Sequence, residues 1–233
     1  MKYENIKEGH FIERPNRFIA HVEVDGNLVV CHVKNTGRCR ELLIPGAKVW
    51  VQHHPDAFKL GRKTEYSLIA VEKGDRLINM DSQAPNQVAA QWLQEGGLFR
   101  GCGIQVREVR REVTFGMSRF DLAFQADGTP CFMEVKGVTL EEDGIAMFPD
   151  APTERGVKHL QELGEAVKQG FGAYVLFVIQ MKGVREFTPN RKTHPAFALA
   201  LAEAEKQGVK ILAYDCLAEP DALEIDSPVS VRL

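Results

Sequence analysis

No stretch of this 233-residue chain approaches the roughly 18 consecutive apolar residues of a membrane-spanning helix. Its opening, MKYENIKEGH, lacks the apolar centre of a signal peptide. A soluble, cytoplasmic protein with no membrane partner is therefore expected. There is no Cys-x-x-Cys pair, and the five cysteines (Cys31, Cys39, Cys102, Cys131, Cys216) are odd in number, which points to reduced thiols rather than a disulfide framework. His53 and His54 are adjacent, so on a strand they face opposite sides and are poorly placed to share a metal. A charge excess is missing too. The formal net charge of −3 advertises no polyanionic partner.

What is present is an ordinary globular composition, 44% hydrophobic and 26% charged, which argues against disorder and provides a sizeable core. Charge is distributed unevenly: residues 1–82 carry 13 Lys/Arg against 11 Asp/Glu, and residues 83–233 carry 16 against 21. The first part is mildly basic. Arg14, Arg17, Lys34, Arg38 and Arg40 are set there against only Glu23 and Asp25, enough for a local basic patch.

The first third reads as short strands. RFIAHVEV (17–24) and NLVVCHVK (27–34) flank Asp25-Gly26, a two-residue hairpin signal. CRELL (39–43) reads as a short helix stopped by Pro45-Gly46, and strands follow near 47–53, 65–72 and 75–80. Five such strands with one short helix fit an OB-like barrel, although an SH3-like barrel has the same count. The period then changes. DSQAPNQVAAQWLQEGG predicts a helix with Pro85 in its first turn, Val88, Ala89, Trp92 and Leu93 on one face, and Gly96-Gly97 at its end. A domain boundary is placed near 81–84. Strands near 104–114, 119–126 and 131–138 come next, then a helix over 153–169, a strand over 173–180, a helix over 195–207 and a last strand over 209–215. That order implies a mixed sheet with helices on both faces.

RFDLAFQADGTPCFMEVKG (119–137) sets acids inside two apolar runs. If Asp127-Gly128 are the loop of a hairpin, 124 pairs with 131, 122 with 133 and 120 with 135. Phe120, Leu122 and Phe124 then share an apolar face with Cys131, Met133 and Val135, while Asp121 lies opposite Glu134 and Arg119 opposite Lys136. Two like charges about 5 Å apart repel by roughly 3 kcal/mol at an effective dielectric of about 20, so compensation is needed. A divalent cation supplies it, and hard carboxylate oxygens suit Mg²⁺ or Mn²⁺. Lys136, on the same face, would help neutralise the acids or orient a water for phosphodiester hydrolysis. An exposed cross-strand salt ladder would also account for the four charges. Glu95 and Glu112 are candidates for an additional acidic ligand.

The segment FDLAFQADGTPCFMEVKG is similar to the D…E-x-K core of the PD-(D/E)XK nuclease superfamily, although Phe120 precedes Asp121 and the literal Pro-Asp is absent there. RPNRFIAHV, NTGRCRELLIPG, SRFDLAF, EVKGVTL and MFPDAPTERGVKHLQEL together resemble the sugar fermentation stimulation proteins of bacteria and archaea, across essentially the whole chain. That resemblance implies an α/β chain, α+β overall, with an OB-like nucleic-acid-binding domain over 1–82 and a PD-(D/E)XK nuclease-like domain over 83–233. It implies DNA as partner, while the link to sugar or maltose metabolism comes from the family's name alone. Carried over by position, Asp121, Glu134 and Lys136 are the catalytic set, and Asp121 and Glu134 the metal ligands. The nucleic-acid surface is assigned to Arg14, Arg17, Lys34, Asn35, Arg38 and Arg40, joined by Arg155 and His159, which share a face at i and i+4 of the helix over 153–169. Two functions stay open: a Mg/Mn-dependent deoxyribonuclease, and a DNA-binding regulator that does not cut. An enzyme acting on a small phosphorylated ligand is a third. The fold is compatible with a homo-oligomer, and no residue run marks an interface.

Overall fold

The computed structural model describes every residue except Thr36 and Met117. The chain begins with a barrel of five strands: β1 (Ile6–Asn16), β2 (Ile19–Val24), β3 (Asn27–Val33), β4 (Lys48–His53) and β5 (Tyr66–Lys73). Strand β1 pairs antiparallel with both β2 and β4, β4 with β5, and β3 closes parallel on β5, the closure of an OB-like barrel. A sixth strand, β6 (Arg76–Asn79), adds to β5 outside that closure. The barrel's five strands are thus not the five expected from the sequence. Strand β1 is the unforeseen one, because IKEGHFIERPN buries only Gly9 and Phe11 and offers no apolar alternation. Gly9 faces the interior so closely that a Cβ there would meet the Glu23 carbonyl oxygen at 2.5 Å.

The β2–β3 hairpin turns through Asp25 (φ 52°) and Gly26 (φ 75°), the two positive φ values of a type I′ turn. CRELL does not form the expected helix. It makes a single turn in which the Leu43 amide donates to the Cys39 carbonyl (2.9 Å), with Cys39 itself at φ 45°, and Pro45 prevents further turns.

Beyond the barrel come α1 (Ala84–Gln94), β7 (Val106–Phe115), β8 (Ser118–Ala126), β9 (Thr129–Val138), β10 (Leu140–Glu142), β11 (Ile145–Phe148) and α2 (Glu154–Lys168). They are followed by β12 (Gly172–Ile179), β13 (Glu186–Pro189), α3 (Pro195–Lys206), β14 (Lys210–Glu219), β15 (Ala222–Pro228) and β16 (Ser230–Val231). The main sheet runs β15-β14-β12-β9-β8-β7, mixed as expected, with β9, β12 and β14 parallel. Helix α1 covers one face through Val88, Ala89, Trp92 and Leu93, which pack with Leu122, Phe124, Met133 and Val135. Helices α2 and α3 cover the other, where Leu160, Leu163, Phe197 and Leu201 join a core continuous with the barrel interior. The strand over 209–215 is not the last. Strand β15 returns beside β14, and a second, four-stranded sheet runs β10-β11-β13-β16. These strands are two to seven residues long, too brief for periodicity to announce.

Barrel and sheet are joined by buried polar groups. The Gln180 side-chain amide donates to Asn79 Oδ1 (3.0 Å) and to the carbonyls of Asn79 (3.0 Å) and Asp81 (3.1 Å). Glu141 of β10 receives Lys73 of β5 (Nζ to Oε2, 2.9 Å), Arg76 of β6 and the Gly144 amide (2.5 Å). Burial would raise this carboxyl, but those partners outweigh it and bring it down to about 2.

Candidate functional site

Strands β8 and β9 turn through Asp127 (φ 47°) and Gly128 (φ 80°) and pair in the register counted from the sequence, from Ala126 with Thr129 to Leu122 with Met133. Pairing then stops. The expected partnerships of Asp121 with Glu134, Phe120 with Val135 and Arg119 with Lys136 are not made as ladder pairs. The Val135 amide instead donates to Asp121 Oδ2 at 2.9 Å, so a side chain takes the place of a backbone carbonyl. Alternation breaks at the same point. Phe120 packs with Ala123 and Phe132 on the α2 side, opposite the α1 face that holds Leu122, Phe124, Cys131, Met133 and Val135.

That break turns Asp121 toward α1, where Asn86 Nδ2 donates to Oδ1 at 2.7 Å. Glu134 is buried, 2% exposed. Its Oε1 receives Lys136 Nζ at 2.5 Å and, in a shorter contact, His159 Nδ1 from α2. Its Oε2 is buried and has no hydrogen-bond partner among the described residues. Helix α2 begins at Thr153, whose Oγ1 accepts the Gly156 amide (3.1 Å), and that cap fixes the turn that delivers His159. Arg155 Nε donates to His159 Nε2 at 3.3 Å, so the imidazole is held between Arg155 on one side and Glu134 on the other.

Burial, then the nearby Glu134 charge, raises the Asp121 carboxyl above its ordinary range. For Glu134, burial acts upward, but the His159 hydrogen bond and Lys136 outweigh it and the net direction is down. The site therefore has one acid firmly ionised and one whose charge is poorly compensated. An orphaned carboxylate oxygen beside a second acid is a hard-oxygen donor set that suits Mg²⁺ or Mn²⁺. Among the described residues no group of three or more His, Cys, Asp or Glu side chains comes together to hold a metal. Neither Glu95 nor Glu112 joins the pair: Glu95 is at the other end of α1 from Asn86 and accepts from Gln91 (2.9 Å), and Glu112 pairs with Arg119 (3.4 Å).

The pattern described as "Sugar fermentation stimulation protein RE domain" matches residues 83–222, and that described as "SfsA N-terminal OB domain" matches residues 12–80. The chain belongs to the sugar fermentation stimulation protein family. Relatives called "Sugar fermentation stimulation protein homolog" share 58% identity in Desulfitobacterium hafniense (strain Y51), over all of this chain and 99% of theirs, and 54% in Ruminiclostridium cellulolyticum, over all of both. The solved structure of Pyrococcus furiosus SfsA in complex with Ca²⁺ superimposes with a TM-score of 0.88 at 27% identity, covering 100% of this chain and 98% of that one.

The basic residues of this family member divide three ways. Arg17, Arg38 and Arg40 are exposed and, with Arg14, Asn16 and Gly37, line one depression. The Arg14 guanidinium is spent on organising that loop: Nη1 donates to the carbonyls of Gly37 (2.8 Å) and Arg38 (2.9 Å), and Nη2 to those of Arg17 and Asn35 (2.7 Å each). Lys34 and Asn35 do not line the depression. Lys34 is held by buried Asp81 at 2.5 Å, and Asn35 Oδ1 accepts the Gly37 amide at 2.9 Å. The Asp81 pairing neutralises Lys34, whereas the Asn35 bond uses its acceptor oxygen and not its amide donor. Arg155 is exposed as expected of a solvated helix face, whereas His159 is buried against Glu134 and corrects the reading of it as a phosphate contact.

Asn86 and the role of His159 were missed, although each had a signal. Asn86 stands i−3 and i−7 from Ala89 and Leu93, and His159 i−4 from Leu163, so each is a polar residue on a buried stripe.

Proposed function

We propose that this chain binds DNA and hydrolyses its phosphodiester bonds at Asp121, Glu134 and Lys136, with Mg²⁺ or Mn²⁺ held by the two acids. The supporting observation is Glu134 Oε2, a buried carboxylate oxygen without a hydrogen-bond partner among the described residues, on the same side chain that Lys136 and His159 hold through Oε1. That the Pyrococcus furiosus relative was solved with Ca²⁺, another oxygen-seeking cation, agrees with this donor set. A bound divalent ion would polarise a phosphate oxygen and acidify a water. Lys136 neutralises Glu134 from one side and is 17% exposed, so its ammonium can reach a phosphate oxygen as negative charge develops there. His159 holds Glu134 Oε1 in place, which leaves Oε2 as the free acceptor. Asn86 and the Val135 amide fix Asp121 through one oxygen each, Oδ1 and Oδ2. The exposed Arg17, Arg38 and Arg40 supply phosphate contacts that carry little sequence information.

A second reading, a DNA-binding regulator that does not cut, is favoured by Glu134 Oε1 being engaged twice with no group of three or more potential ligands gathered among the described residues. Calorimetric titration of Mn²⁺ into wild type and Glu134→Ala, followed by incubation of both with supercoiled plasmid, separates the readings. Binding that depends on Glu134, with nicking, supports the nuclease. Binding without nicking, on plasmid or structured oligonucleotides, supports the regulator. Loss of neither binding nor nicking in Glu134→Ala removes this site.

A further inference from the structure

The barrel carries a cleft that neither the acid site nor the arginine depression uses. It encloses about 350 Å³ and is lined by Phe18 before β2, Ile19 on β2, His32 on β3, and Arg62, Lys63 and Thr64 from the loop between β4 and β5. No carboxylate is among them. Phe18 is 43% exposed, and the Arg17 guanidinium lies 4.7 Å from its ring centroid. Arg62 is fixed in place, its Nη2 donating to Ser67 Oγ (2.8 Å) and its Nε to the Thr64 carbonyl (3.4 Å), while Lys63 is exposed. Burial, followed by the Arg62 and Lys34 charges, lowers the His32 pKa, which keeps that ring neutral and able to stack.

An open aromatic ring between cations, on the β2–β3 face and against the β1–β2 and β4–β5 loops, has the composition that receives an unpaired base in an OB-type barrel. We propose that this cleft stacks one base of a single-stranded segment, so that the favoured DNA is not a continuous duplex but one with a single-stranded stretch. The inference rests on the proposed DNA binding and deepens it. Arg17 connects the two surfaces, since it touches the Phe18 ring and also lines the depression with Arg38 and Arg40. A strand whose base enters the cleft therefore has its phosphates led toward the arginines.

The test compares a fluorescent oligothymidylate with an abasic oligodeoxynucleotide of equal phosphate number and with a blunt duplex, by anisotropy, without divalent metal. Wild type is expected to bind oligothymidylate roughly ten-fold more tightly than the abasic strand, one stacked base being sufficient for that ratio. Phe18→Ala should abolish the preference while leaving duplex and abasic affinity unchanged, and Phe18→Trp should restore it. Lys63→Ala should weaken all three ligands alike. A wild type that binds abasic and thymidine strands equally overturns the cleft and leaves the arginine surface standing. A preference that survives in Phe18→Ala overturns it too. Wild type that binds none of the three overturns both this inference and the DNA-binding reading beneath it.

Discussion

Glu134 and Glu141 lie seven residues apart and are each 2% exposed, with two polar partners on Glu134 and three on Glu141, yet their oxygens are treated differently. Glu141 is complete: Oε1 serves Arg76 and the Gly144 amide, and Oε2 serves Lys73. Glu134 concentrates Lys136 and His159 on Oε1 and leaves Oε2 without a partner among the described residues. A carboxylate with both oxygens engaged holds a joint together. One with a vacant, buried acceptor is stable only at a cost, which a bound cation would remove.

The sharpest way to break this comparison is metal binding. Glu134→Ala should weaken Mn²⁺ affinity at least ~100-fold in calorimetry, whereas Glu141→Ala should leave it within about two-fold; equal losses would erase the distinction. Stability should invert the ranking. Removing Glu141 strands Lys73 and Arg76 at the joint and should cost roughly 3 kcal/mol in urea unfolding, while Glu134→Gln, which keeps an acceptor for Lys136 and His159, should cost less than about 1 kcal/mol.

Acid should separate the two sites in sequence. Glu141 is depressed in the folded state, so its contribution is complete above its ordinary value of 4.5 and is lost as pH falls toward about 2. Asp121 is raised, so it takes up its proton at higher pH and any bound metal must displace that proton. Mn²⁺ affinity should therefore fall before the joint loosens as pH is lowered, measured by titration and circular dichroism on the same samples. Simultaneous loss would mean that the acids titrate as one unit. The smallest effect concerns the arginines. Arg17→Ala with Arg38→Ala should reduce the slope of log affinity against log salt for duplex DNA by about 2, and an unchanged slope would place the phosphate contacts elsewhere.

Much of this was legible beforehand where a period or a turn dictated it. Asp127-Gly128 set the β8–β9 register, and Asp25-Gly26 set the β2–β3 hairpin. The strand expected over 173–180 is β12, an apolar run buried along most of its length. What was not legible depended on tertiary partners. The register put Asp121 opposite Glu134 but could not show that pairing would end at Leu122, because that break follows from Asn86 on another element and from an amide captured by a side chain. The five basic residues were read as one patch because they are near in sequence. Asp81 withdraws Lys34 from it and four carbonyls absorb Arg14, and neither relation has a local pattern. Glu141 gave no signal at all, since its cations come from a different domain.

The capture of the Val135 amide by Asp121 has a practical consequence. Most amides in the centre of a sheet exchange with solvent only when the sheet opens, but this one is guarded by a carboxylate that can rotate, be protonated or turn to a cation. Its exchange rate and chemical shift thus form a native gauge of what Asp121 is doing, readable without a label or a substrate. A metal that draws the carboxylate away should quicken exchange at Val135 while leaving Met133, one rung down the intact ladder, unchanged.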